Sequence, residues 1–129
     1  MGTSEIYRVV EEFPEVVDSL VVDLEYLGRP SFLALFVVLR QGGLTVSPEL
    51  KSRLFQAIRT NLTPRHVPDE VLAIPEVPRT LSGKKMEVPV RRILLGQPVA
   101  RSANRDAMAN PGSLDWFVAF ARELDARLA

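Results

Sequence analysis

Apolar positions recur at two different spacings along the chain. Ile6, Val9, Val10 and Phe13 lie three or four apart. That is the spacing of one helix face, with Thr3 or Ser4 available as the cap and Pro14 as the stop. Residues 16–26, VVDSLVVDLEY, change to a partly alternating run rich in β-branched residues and predict a strand. Gly28-Arg29-Pro30 is turn chemistry. SFLALFVVLR then runs almost without a polar break, the pattern of a strand covered on both faces, and Gln41-Gly42-Gly43 ends it. Together the two strands predict a hairpin or an adjacent pair.

Helical spacing returns after Ser47-Pro48-Glu49, which combines a capping serine, proline at the first helical position and an acid in the first turn. Leu50, Leu54, Ala57, Ile58 and Leu62 give this helix one apolar face, and Arg59 sits at its edge with its head free to reach outward. Prolines at 64, 68, 75 and 78 exclude a helix over the next stretch, although VLAI within it suits a short edge strand. Val88-Pro89 opens a short helix that Gly96 stops. Residues 96–113 are small, polar and proline-containing and read as a linker or a surface-draped segment. A final amphipathic helix follows, with Leu114, Phe117, Phe120, Ala121, Leu124 and Leu128 apolar. The expected architecture is α+β: a small sheet flanked by helices over 1–95, then a linker and helical C-terminal extension over 96–129.

Composition narrows the chemistry. The 129 residues are enough for one buried core, and 16 basic residues balance 16 acidic ones. A neutral total argues against nucleic-acid binding driven by overall charge. The absence of cysteine removes disulfides, thiol catalysis and Cys-based metal sites, and one histidine cannot build a zinc centre without unusual help from carboxylates. The longest apolar run, Phe32 to Leu39, is too short to span a bilayer, and no signal peptide is visible. The expectation is a cytoplasmic domain with no membrane or nucleic-acid partner and no metal site.

One stretch concentrates positive charge on a glycine turn: PRTLSGKKMEVPVRR, residues 78–92. It is not a P-loop, because Pro78 stands where that motif needs glycine and Lys85 where it needs Ser or Thr. No GxGxxG occurs, so a Rossmann phosphate loop is absent as well. Arg79, Lys84, Lys85, Arg91 and Arg92 could bind phosphates, yet base-stacking aromatics are missing nearby. A solvated basic loop explains the same residues. His66 reads as a loop residue without an obvious partner, and Trp116 as packing. From the residues alone, the reading ends at an α+β domain with one exposed basic turn.

Pro78-x-Thr80-x-Ser82-Gly83-Lys84 resembles the P-x-T-x-S-G-K signature near the end of the adenylate-forming acyl-CoA synthetases. GTSEIYRVVEEFPEVVDSLVV, residues 2–22, is similar to the start of the mobile C-terminal domain of that group, and the elements between follow in the expected order. SGKKMEVPVRRILLG and ANPGSLDWF look like the acetoacetyl-CoA synthetase family rather than the acetyl-CoA synthetases. The resemblance implies a C-terminal domain cut from a larger enzyme, inactive alone. Its substrates would be ATP with Mg2+, a carboxylic acid and coenzyme A, and its main partner the N-terminal adenylation domain that carries the ATP and acyl pockets. It also implies that Lys84 serves acyl-adenylate formation, supported in its loop by Thr80, Ser82 and Gly83. Arg59 is carried over, by position only, as a contact for coenzyme A phosphates. Lys84 is the expected acceptor in control by a protein lysine acetyltransferase and deacetylase. Lys85, Arg91 and Arg92 are expected to be solvated or interdomain charges. The rival reading is a stand-alone module that binds a phosphorylated ligand or an acidic partner.

Overall fold

The computed structural model describes residues 3–24 and 32–128. The turn expected at 28–30 and the last positions of the first strand lie outside them, as does the Leu128 side chain. In chain order the elements are α1 (Thr3–Val10), β1 (Val16–Leu24), β2 (Phe32–Leu39), α2 (Pro48–Asn61), β3 (Glu70–Ala73), α3 (Glu87–Leu94), α4 (Val99–Ser102) and α5 (Leu114–Leu128). The sheet order is β1-β2-β3, with β2 antiparallel to β1 and parallel to β3.

β2 is central, and its unbroken apolar sequence follows from cover on both faces. Ala34 and Phe36 face one layer with Leu20, Val22 and Leu24 of β1, under α3 and α5. Leu33, Leu35 and Val37 face the other, with Val16 and Val21, under α1 and α2. The expected adjacent strand pair and the short edge strand at VLAI are both present. Asp69 fixes the start of β3 on β2: its backbone N–H donates to Leu33 O at 2.8 Å, and its carboxylate accepts from Leu33 N–H at 2.7 Å.

The helix ends follow their capping residues. Ser47 accepts from Leu50 N–H at 3.1 Å, with Pro48 in the first turn. α3 closes on Gly96 at φ +93°, where Gly96 N–H donates to Ile93 O and Gln97 N–H to Arg92 O. That paired closure is a Schellman motif, and its left-handed residue favours glycine. α1 ends at Val10, earlier than its apolar spacing predicts, because Pro14 draws Phe13 out of helical geometry.

The extension differs most from its sequence pattern. The 96–113 segment contains α4 and two single 3-10 turns, at Arg105–Ala107 and Pro111–Ser113. α5 buries Leu114, Phe117, Phe120 and Leu124 against the sheet. Phe36 meets Phe117 edge-on at 5.1 Å and Phe120 at 5.9 Å. The last helix therefore completes the core on one face of the sheet.

Candidate functional site

The basic turn is a small hairpin. Arg79 and Lys85 form an antiparallel bridge, Thr80 N–H donates to Lys84 O at 2.9 Å, and Gly83 N–H donates to Thr80 O at 2.9 Å. Gly83 has φ +88°. This is a three-residue hairpin loop that needs a left-handed residue at its end, a position that costs glycine nothing sterically. Thr80 Oγ1 accepts from Lys84 N–H at 3.1 Å and lies 3.0 Å from Ser82 Oγ. The two hydroxyls are thus engaged in holding the loop's own shape.

Cross-strand partners share a face, so Arg79 and Lys85 turn the same way and reach the same acid. Arg79 donates to Asp18 through Nη2 at 2.7 and 2.8 Å and through Nε at 3.2 Å, while its Nη1 donates to Gly83 O at 2.6 Å. Lys85 pairs with Glu11, donates to Ser19 O at 2.7 Å, and lies 3.5 Å from Asp18 and 3.5 Å above the Tyr7 ring. The Tyr7 hydroxyl donates to Glu87 at 2.6 Å and accepts from Val21 N–H at 3.0 Å. Burial, with the Glu87 carboxylate behind it, pushes the Tyr7 phenol far above its ordinary range. Since β1 has β2 on one side only, Ser19 O and Val21 N–H are edge groups, and Lys85 and Tyr7 cover them.

The expectation that Lys85 is a solvated or interdomain charge is therefore corrected. Its side chain is 16% exposed, and it stitches α1 and β1 to the hairpin. Lys84, one place away, faces outward: it is exposed, and among the described residues its ammonium has no ion pair. Arg91 and Arg92 are exposed on α3, in keeping with their expected solvation. Arg59 is exposed in the last turn of α2, on the opposite face of the sheet from α3, and shares no ion pair with the turn. His66 is held by its loop, with Nδ1 2.7 Å from Thr63 Oγ1 and Nε2 3.8 Å from Glu5.

The extension braces the hairpin from behind. Leu81 N–H donates to Ala107 O and Ala109 N–H to Arg79 O, both at 3.0 Å, on either side of a bridge between Thr80 and Met108. The Asn110 amide closes the strap, accepting from Arg79 N–H at 3.0 Å and donating to Val77 O at 2.8 Å. Sequence reasoning missed Asp18, Asn110 and the structural part of Arg79. The available signals were slight: an acid interrupting an apolar strand, and an Asn-Pro step in a polar segment.

Residues 5–84, from α1 to the lysine of the turn, match the AMP-binding enzyme C-terminal domain. The chain belongs to that family. This AMP-binding enzyme C-terminal domain is 40% identical over 116 residues to the acetoacetyl-CoA synthetase of Mus musculus, an alignment covering 90% of the chain and 17% of the relative. It is 38% identical over 117 residues to the acetoacetyl-coenzyme A synthetase of Rhizobium meliloti, covering 91% and 17%. Among solved structures, acetoacetyl-CoA synthetase from Streptomyces lividans superposes with a TM-score of 0.86 at 42% identity, over 95% of this chain and 18% of that one. An acyl-CoA synthetase from Brucella canis gives 0.59 at 26% identity, over 74% and 16%. The chain thus spans about one sixth of the length of the relatives it matches.

Proposed function

We propose that this chain is the lysine-bearing C-terminal domain of an acetoacetate–CoA ligase, and that Lys84 serves the adenylation half of its reaction. In that reaction the acid's carboxylate oxygen forms a bond to the α-phosphorus of ATP as the bond to the pyrophosphate oxygen breaks. The coenzyme A sulfur then attacks the acyl carbon, AMP leaves with the former carboxylate oxygen, and the thiol proton passes to solvent. ATP, its Mg2+ and coenzyme A are substrates of the complete enzyme, whose large N-terminal domain is the partner of this one.

The observation that carries the reading is the division of labour between adjacent lysines. Lys85 is committed to Glu11, Asp18 and the Tyr7 ring, whereas Lys84, without an ion pair among the described residues, projects from a turn whose backbone is pinned. An ammonium held this way can approach two anions, the carboxylate and the α-phosphate, and stabilise the charge between them. Thr80, Ser82 and Gly83 support that role by shaping the loop. Movement of the small domain would carry Lys84 away before thioester formation. Acetoacetate is chosen because the relatives at 38–42% identity bear that activity in their names. Arg59, exposed on α2 and without an ion pair among the described residues, is proposed to meet coenzyme A phosphates. Lys84 is also the proposed acceptor for a protein lysine acetyltransferase, with a deacetylase restoring it, because acetylation would cancel the charge the reaction needs. We place the enzyme in the cytoplasm.

The test is Lys84→Ala in the full-length enzyme carrying this chain, with acetoacetate and acetate as rival acids. Pyrophosphate release is expected to fall about 10²–10³-fold, while coenzyme A consumption from supplied acyl-adenylate largely persists. Equal losses in both halves would refute the assignment of Lys84, and a preference for acetate would refute the choice of acid.

A further inference from the structure

Among the described residues the Lys84 ammonium has no hydrogen bond or ion pair to aim it, so its direction comes from the backbone that carries it. Two peptide groups set that direction, those on either side of the Lys84 Cα. The second is tied within the hairpin, by Thr80 N–H to Lys84 O at 2.9 Å. The first has its N–H on Thr80 Oγ1 at 3.1 Å and its carbonyl, that of Gly83, on Arg79 Nη1 at 2.6 Å. Glycine at φ +88° with open space around it supplies no stiffness of its own. The Arg79 guanidinium is itself fixed, because its remaining donors form a fork on Asp18, a residue of the sheet. Its main chain is fixed from the other side by Asn110 and Ala109 of the strap.

We propose that Arg79 is the positioning residue for Lys84, transmitting the rigidity of β1, through Asp18, to the peptide that aims the lysine. The functional half of this rests on the role given to Lys84 above; the mechanical half does not. A planar fork can hold Asp18 with two nitrogens and Gly83 O with the third, a geometry that a lysine cannot copy although it keeps the charge. Stiffness at this point matters because misplacing a reacting group by about 1 Å can cost on the order of 10²-fold in rate. Arg79 touches none of the reacting atoms in this scheme and acts only through Gly83.

The experiment has two readouts. Amide hydrogen exchange at Gly83 and Lys84 is measured in this chain for the wild type, Arg79→Lys, Arg79→Gln and Asp18→Asn, with the β2 amides of Leu35 and Phe36 as the folding control. In the full-length enzyme, kcat and KM for pyrophosphate release are measured for the same variants. Both Arg79 variants are expected to speed exchange at Gly83 and Lys84 at least about tenfold, with the β2 amides unchanged. They should also lower kcat about 10–100-fold with little change in KM. Asp18→Asn, which removes one acceptor of the fork, should do the same to a smaller degree. Wild-type exchange and rate in Arg79→Lys would overturn the proposal, since charge alone would then suffice. So would unchanged Lys84 exchange in Asp18→Asn, whatever the Arg79 variants do. If the wild-type enzyme releases no pyrophosphate with any acid, the proposed function fails, and the exchange readout alone decides whether Arg79 holds the turn.

Discussion

Replacing Lys85 with methionine keeps most of the side-chain stem and removes only the cation. The structure assigns four losses to that change, one of them the 3.5 Å ion pair with Asp18. The carboxylate of Glu11 loses its ammonium partner and Ser19 O loses a donor at 2.7 Å, while the Tyr7 ring loses a cation 3.5 Å from its centre. A hydrogen bond to a charged group contributes about 1.5–3 kcal/mol, and a cation over a partly desolvated ring about 1–2 kcal/mol. These share one nitrogen and do not add. Glu11 is 34% exposed, so water re-solvates it in part and the cost stays below the 3–5 kcal/mol typical of a fully buried broken pair. The expected loss is about 2–3 kcal/mol, or roughly 6–12 °C in Tm for a domain of this size. Urea unfolding followed by Trp116 fluorescence and far-UV circular dichroism measures it. Lys84→Met provides the contrast and should stay within about 0.5 kcal/mol of wild type, as exposed substitutions do. Equal effects at the two positions, or a loss at Lys85 below about 0.5 kcal/mol, would refute the assignment of one inward and one outward lysine.

Three further outcomes follow from the same geometry. Gly83→Ala meets no atom within 4 Å but must hold φ +88°, so it should cost about 1–2 kcal/mol in urea unfolding from backbone strain alone. Phe117→Ala removes a fully buried ring packed edge-on against Phe36 and should cost about 3–5 kcal/mol, visible as an earlier thermal transition. The Tyr7 phenol is held protonated in the fold, whereas the unfolded chain loses that proton near pH 10. The unfolded state then binds fewer protons, so stability should fall above pH 10 by at most about 1.4 kcal/mol per pH unit. It should be fully present below that pH, and Tyr7→Phe should flatten the fall in pH-dependent unfolding curves.

Much of the fold was legible because its signals are local. The doubly covered β2, the Ser47-Pro48 start of α2 and the Gly96 stop of α3 each depend on residues within a few positions of one another. The site was legible only in part. The signature singles out Lys84, but nothing local shows that Lys85 turns inward while Lys84 turns outward. Their opposite directions are set by the bridge to Arg79 and by Asp18, which lies 61 positions from Arg79. The strap at 107–110 was hidden for the same reason. Its polar composition is that of a linker, and only hydrogen bonds to residues 77–81 make it part of the turn.

The two faces of β2 become coverable at different times during synthesis. Leu33, Leu35 and Val37 find α1 and α2 as soon as residue 61 has left the ribosome. Ala34 and Phe36 wait for Phe117, Phe120 and Leu124. At translation speeds of about 5–20 residues per second, that interval lasts roughly 3–13 s. During it the nascent chain can form its helical layer on one side of the central strand, whereas on the other Phe36 has only α3 and the residues leading to it for cover, once residue 94 has emerged. A chaperone that recognises exposed aromatics would therefore meet this protein on the Phe36 side, and α5 would be the segment that displaces it.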